Sequence, residues 1–328
     1  QANTYLRNKD SATRRPRCAK PTVSYLYPMP LIRFLDRKDI DVERWDRCVR
    51  QSAVADIYAL SGYLDIMARQ WSGLVQDDYE AVLPIPWNRK FCIYYIYTPR
   101  FTSPLPLCGN PATALPLPDF LAGIPTRFRL WDLDIRGGTP DQSIAYTKQF
   151  RNNHLLPLKA PYETLRSGYR STYRNLLRQS RDRGYMARTC TDYEDIIYKA
   201  RIKKKIRGMK ADDYTRFEKL CHHLAASGML ESWETVNTTG ERCAGAVFFI
   251  TEAKIYYMLA WNNDEGRKSG ASHLLMDAVI AAYAGSGLTL DFEGSDHPGI
   301  ARFFEGFGAE PQPYLSIRHR SWQGKNKH

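Results

Sequence analysis

Two stretches of this 328-residue chain combine residue types and spacings that can do chemistry. The first is Asn263-Asp264-Glu265-Gly266-Arg267-Lys268-Ser269-Gly270-Ala271-Ser272, which reads as a polar loop between a strand and a helix. A loop that opens a helix leaves backbone N–H groups without intrahelical partners, and the helix dipole adds partial positive charge there. Small residues at Ser269, Gly270, Ala271 and Ser272 let an anion approach closely, and Arg267 and Lys268 bring charge, so a pyrophosphate would fit. The same residues also suit an ordinary helix start with Ser269 as N-cap. The second stretch is Asp291-Phe292-Glu293, at the end of a strand. Alternation puts both carboxylates on one side, which suits proton transfer but equally suits pairing with Arg302 or capping a helix that starts at Pro298.

The elements that must position these residues are easiest to read in the C-terminal half. Tyr162 to Arg183 has a long helical pattern ending at Gly184, and Asp212 to Ala226 has another ending at Gly228. Leu230–Asn237, Arg242–Thr251 and Lys254–Trp261 then read as an antiparallel meander with turn-length joints. Ser269 to Ala284 follows as an amphipathic helix, Leu288–Phe292 as a strand, Pro298–Glu305 as a short helix and Tyr314–His319 as a last strand. In the N-terminal half, Leu31–Leu35, Glu80–Ile85, Phe91–Tyr97 and Arg127–Asp132 read as strands. Val42–Arg50 and Tyr63–Trp71 read as helices, and the proline-rich run from Thr98 to Pro125 as an extended connection. Arg136-Gly137-Gly138-Thr139-Pro140 reads as a turn, with the boundary between halves at 140–158.

Composition excludes several classes. With 43% hydrophobic and 12% aromatic residues the chain can bury a real core. No apolar run is long enough to span a membrane, and the basic start has no apolar stretch of a signal peptide behind it. Seven scattered cysteines, without CxxC or Cys/His spacing, read as reduced thiols in a cytoplasmic protein with no metal. The net charge of +12 sits mostly at the ends: six cations against Asp10 in residues 1–20, and four against no acid in 318–328. Such tails are ordinarily solvated, with contact to nucleic acid or anionic surfaces as the alternative. Arg166, Arg170, Arg174 and Arg178, spaced by four, would line one helix face with Arg181 alongside; they repel one another unless an acid or phosphate answers them. The cationic run from Lys199 to Lys210 reads as a loop. No Gly-x-Ser-x-Gly, Walker or HExxH motif occurs, and adjacent His222 and His223 on a helix make a poor metal pair.

The order of elements, with Arg267-x-x-Gly270-x-Ser272 opening a helix after the third strand of a meander, resembles the acyl-CoA pyrophosphate loop of the GNAT superfamily. Ser272 departs from the usual Gly or Ala. Asp291-Phe292-Glu293-Gly294-Ser295, Arg302-Phe303-Phe304-Glu305-Gly306-Phe307-Gly308-Ala309 and the basic helix Tyr173 to Gly184 are similar to the Fem-type subgroup, over roughly residues 160–318. The resemblance implies a mixed α/β fold of tandem GNAT-like domains, each a mostly antiparallel central sheet flanked by helices. Residues 28–150 and 151–320 would form them, between a basic tail at 1–27 and a tail at 321–328. It further implies transfer of an acyl group, from an acyl-CoA (acetyl-CoA first) to an amine on a small molecule or peptide. Fem proteins draw instead on aminoacyl-tRNA, but the lysine of their Phe-Lys-x-Gly-Phe-Gly pattern is Phe304 here, and the helical-hairpin arm of some members is missing, which favours CoA. A GNAT-like module that only binds a partner is the remaining alternative. On the resemblance, Glu293 and Asp291 become candidate bases, with Glu293 the one near enough to reach an amine. Phe304 stands where GNAT enzymes often have a tyrosine acid, leaving Tyr314, or Tyr256 and Tyr257, as substitutes.

Overall fold

The computed structural model describes residues 31–136, 146–203, 208–294 and 298–321. The expected turn at Gly137–Pro140, His297, and most of both tails lie outside the described residues. The N-terminal half runs β1 (Ile32–Asp36), α1 (Val42–Gln51), α2 (Ser61–Met67), β2 (Gln70–Gln76), β3 (Ala81–Lys90) and β4 (Ile93–Tyr97). The short strands β5 (Leu105–Pro106) and β6 (Cys108–Gly109) follow, then α3 (Leu117–Ala122) and β7 (Phe128–Arg136). The second half opens with β8 (Thr147–Pro157), α4 (Tyr162–Ser167), α5 (Ser171–Asp182), β9 (Met186–Cys190), α6 (Tyr193–Lys203) and α7 (Ala211–Ala226). It continues with β10 (Leu230–Val236), β11 (Arg242–Ile250), β12 (Lys254–Asn262), α8 (Asp264–Ser269) and α9 (Ala271–Tyr283), and ends with β13 (Thr289–Asp291), α10 (Pro298–Glu305) and β14 (Glu310–Arg320).

All the strands join one sheet, ordered β1-β2-β3-β4-β7-β14-β8-β13-β12-β11-β10-β9, with β5 on β7 and β6 on β3. Each half repeats one plan: four antiparallel strands (β1 to β4, β9 to β12), then a parallel neighbour, β7 or β13. The halves exchange their next strands, because β8 pairs with β13 while β14 lies between β7 and β8. The mixed α/β fold of tandem GNAT-like units is therefore present.

Several local expectations need correction. The long helix breaks at Gly168-Tyr169-Arg170, where the Arg170 amide leaves the helical ladder to donate to Gly306 O at 3.0 Å. The arginines thus share no single stripe, and most have partners: Arg170 pairs with Glu305, Arg181 with Asp277, Arg166 with Glu163, and Arg174 donates to the Tyr169 carbonyl. The cationic run begins as the end of α6, and α2 stops at Met67 because Gln70 and Trp71 belong to β2. The proline-rich run holds α3 and two short strands. Among the described residues no helix is long and apolar enough to cross a membrane.

Candidate functional site

β12 and β13 pair at only three places, Lys254 with Thr289, Ile255 with Leu290 and Tyr256 with Asp291. Beyond them β12 runs on to Asn262, whereas the other chain turns away after Asp291. Glu293 and Gly294 both take φ of +64°, and the Glu293 amide donates to Asp291 Oδ1 at 3.0 Å. A side chain at Gly294 would bring a Cβ within 2.6 Å of the Asn152 carbonyl, so only glycine fits there. On its other edge β12 carries a bulge: Tyr257 faces Phe248 and Leu259 faces Val247, which leaves Met258 outside the ladder.

The splay opens a cleft of about 480 Å³ whose walls include Tyr257, Met258, Phe292, Glu293, Ser272 at the start of α9 and Phe304 of α10. Phe304 stacks on Phe292 at 4.6 Å. The cleft is lined by aromatic and other apolar side chains, and among the described residues Glu293 is its one acidic lining residue. Glu293 Oε1 is buried without a hydrogen-bond partner. Burial, and next the charge of Asp291, hold this carboxyl well above the usual range, against a smaller opposing influence of the Tyr58 hydroxyl.

Behind Glu293 lies a buried ionic cluster. Asp291, fully buried, accepts from Asn153 Nδ2 at 2.7 Å and faces Arg136 at 3.4 Å and Lys254 at 3.9 Å. Asp56 closes the set, 3.0 Å from both cations. Two carboxylates thus balance two cations, and an ionised Glu293 beside them would add an uncompensated charge. Asp56, Arg136 and Lys254 escaped the sequence reading because they lie far apart along the chain. The available signal was Arg136 itself, a cation directly after the apolar alternation Trp131, Leu133, Ile135.

The candidate anion loop is a helical turn rather than a loop. Asn263 caps α8, accepting from the Gly266 amide, and Gly270 rather than Ser269 is the N-cap of α9. Gly270 takes φ of +78° between α8 and α9, and a Cβ there would meet Leu176 at 2.7 Å. Arg267 pairs with Asp264, Lys268 is exposed, and Ser269 and Ala271 are buried. Of the six, Ser272 lines the cleft, its hydroxyl accepting from Asn262 at 2.9 Å. Tyr314 is not brought there: it faces Arg151 from β14, with β8 between it and β13. Tyr256 is fully buried, while Tyr257 is on the cleft wall.

Residues 167–303 match the family described as Acetyltransferase (GNAT) domain. This segment is a GNAT domain. It contains the splay, the bulge and Glu293. The whole fold is similar to three solved structures. FemX is 12% identical with a TM-score of 0.61, over 85% of this chain and 96% of that one. A tandem GNAT protein from the clavulanic acid biosynthesis pathway is 12% identical with a TM-score of 0.53, over 88% and 98%. L-PGS from Bacillus licheniformis is 12% identical with a TM-score of 0.51, over 86% and 93%. No curated protein sequence matches the chain. The GNAT assignment and the Fem-type and tandem arrangement of two such units thus agree with the fold.

Proposed function

We propose that the protein is an N-acyltransferase of the cytoplasm that moves an acyl group from an acyl-CoA thioester, acetyl-CoA first, to an amine on a small molecule or peptide. The observation that carries this reading is the open splay between β12 and β13, with the Oε1 atom of Glu293 buried on its wall. The edge of β12 beyond Tyr256 has lost its parallel neighbour, so its backbone can bond an extended ligand bearing amides, as the pantetheine arm of CoA does. The first turn of α9, with exposed Lys268 before it, would face the diphosphate. The two GNAT-like units are taken as residues 28–150 and 151–320, the second binding the donor.

Glu293 then enters turnover protonated. The neutral amine attacks the thioester carbonyl and the C–S bond breaks. Glu293 gives its proton to the leaving thiolate and takes one back from the nitrogen of the new amide, so the carboxyl is restored. Asp291 acts on Glu293 by position, through the amide it accepts from. Because the Glu293 pKa is raised, a proton-donating role predicts that kcat falls as pH rises through that pKa. A base-only role predicts the reverse, a rise over the same interval.

The donor is tested by thermal shift and calorimetry with acetyl-CoA, longer acyl-CoAs and aminoacyl-tRNA. A CoA ester at about a hundred times its Kd should add about 2.7 kcal/mol. Binding of aminoacyl-tRNA with no response to any CoA ester at saturation would transfer the donor role to tRNA, and response to neither would leave a module that only binds a partner.

A further inference from the structure

We propose that the β3–β4 hairpin docks the protein on an anionic lipid surface. β2 begins at Gln70, opposite Trp87, so Asn88, Arg89 and Lys90 of β3 pair only with β4. β4 in turn first meets β7 at Tyr94. The hairpin therefore projects past β2 by three residues, or about 10 Å at the rise of a strand, and past β7 by Lys90, Ile93 and the two-residue tip. At its tip Phe91 and Cys92 take φ of +47° and +64°. Successive residues of positive φ make the two-residue turn that favours Asn-Gly, so this conformation holds a bulky residue where a small one is the easier choice. The result is a phenylalanine 86% exposed, with half-exposed Ile93 beside it. Strain that presents an apolar side chain to solvent points to a use for that side chain.

Its surroundings identify the partner. Arg89 and Lys90 precede the tip, Lys90 Nζ lies 5.3 Å from the Phe91 ring, and neither forms an ion pair among the described residues. At the foot of the hairpin a cavity of about 520 Å³ is lined by Arg37, Lys38, Arg69 and Arg127 against Asp36 and Asp65. A two-residue tip offers far less area than the roughly 800 Å² per partner of a stable protein interface. It suffices for a membrane, where a few apolar side chains entering the headgroup boundary by about 5–10 Å act together with basic residues near anionic lipid.

The test is cosedimentation of the full chain with vesicles of phosphatidylcholine alone and of phosphatidylcholine mixed with phosphatidylglycerol. Binding should require the anionic lipid and weaken with salt. Phe91→Ser should lower partitioning about tenfold or more, Lys90→Glu should lower it as well, and both should melt like the parent because the tip is exposed. Phe91→Trp should add emission that shifts to the blue with anionic vesicles. Equal binding by Phe91→Ser would overturn the proposal, since the basic ends of the chain would then carry the attraction. So would equal binding to neutral vesicles, or a loss of self-association on Phe91→Ser in the absence of lipid.

Discussion

Where β4 and β7 part in the N-terminal half, the space is taken: Thr98 bonds the Asp134 amide, and β5 pairs with β7 at Ile135 and Arg136, burying Leu105 completely. At the matching place in the C-terminal half, β12 and β13 separate after three pairs and a cleft remains. The strand plan is the same, so topology alone does not decide whether such a splay is a site. The segment after the fourth strand decides it. A proline-rich segment follows β4 and returns as a plug, whereas α8 and α9 follow β12 and pack on α5 without entering the gap.

That contrast can be broken or sharpened by substitution. The largest effect is expected from Glu293→Gln, which keeps the shape of the open splay and removes its proton carrier: turnover should fall about 10²- to 10⁴-fold with donor affinity unchanged in calorimetry. Full activity from pH 6 to 9 in that variant would make the cleft a positioning device only. Next comes Leu105→Ala, which empties the filled splay and should cost about 2–5 kcal/mol in urea unfolding while donor binding stays at the parent value. Ala260→Phe, on the wall of the open splay, should do the converse, weakening donor binding about tenfold or more with little change in the unfolding midpoint. Gly270→Ala should cost about 1 kcal/mol or more of stability, because its φ is positive and Leu176 leaves no room. Last, Arg267→Ala should leave the midpoint unchanged, since its partner Asp264 is an exposed neighbour on the same short helix.

The C-terminal half was legible because its strands are largely apolar runs joined by turn-length segments and its helices end at glycines of positive φ, Gly184 and Gly228. The strand β8 was not legible: Thr147–Pro157 is polar and charged, and is extended because β13 and β14 supply backbone partners on both sides. No local pattern encodes such pairing. α8 was hidden for a related reason. Asp264 to Ser269 has no apolar face, and the turn is held by the Asn263 cap and by Gly266 packed against the Cys243 carbonyl. At the site, Asp291 and Glu293 were visible as acids at the end of an apolar segment. The raised pKa of Glu293 was not, since it depends on burial and on Asp291, Asp56 and Arg136, which only the fold brings near.

The exchange of β8 and β14 has a consequence for the order in which the chain can fold. Leu315 of β14 pairs with Ile135 of β7, so the N-terminal sheet stays open along β7 until the ribosome has released residues 310–320. Closing so long a loop is slow, and an uncovered strand edge invites pairing with other chains in the interval. The nascent protein would then depend most on chaperones in the interval between β7 and β14, and slowing translation there would lengthen that exposure rather than relieve it.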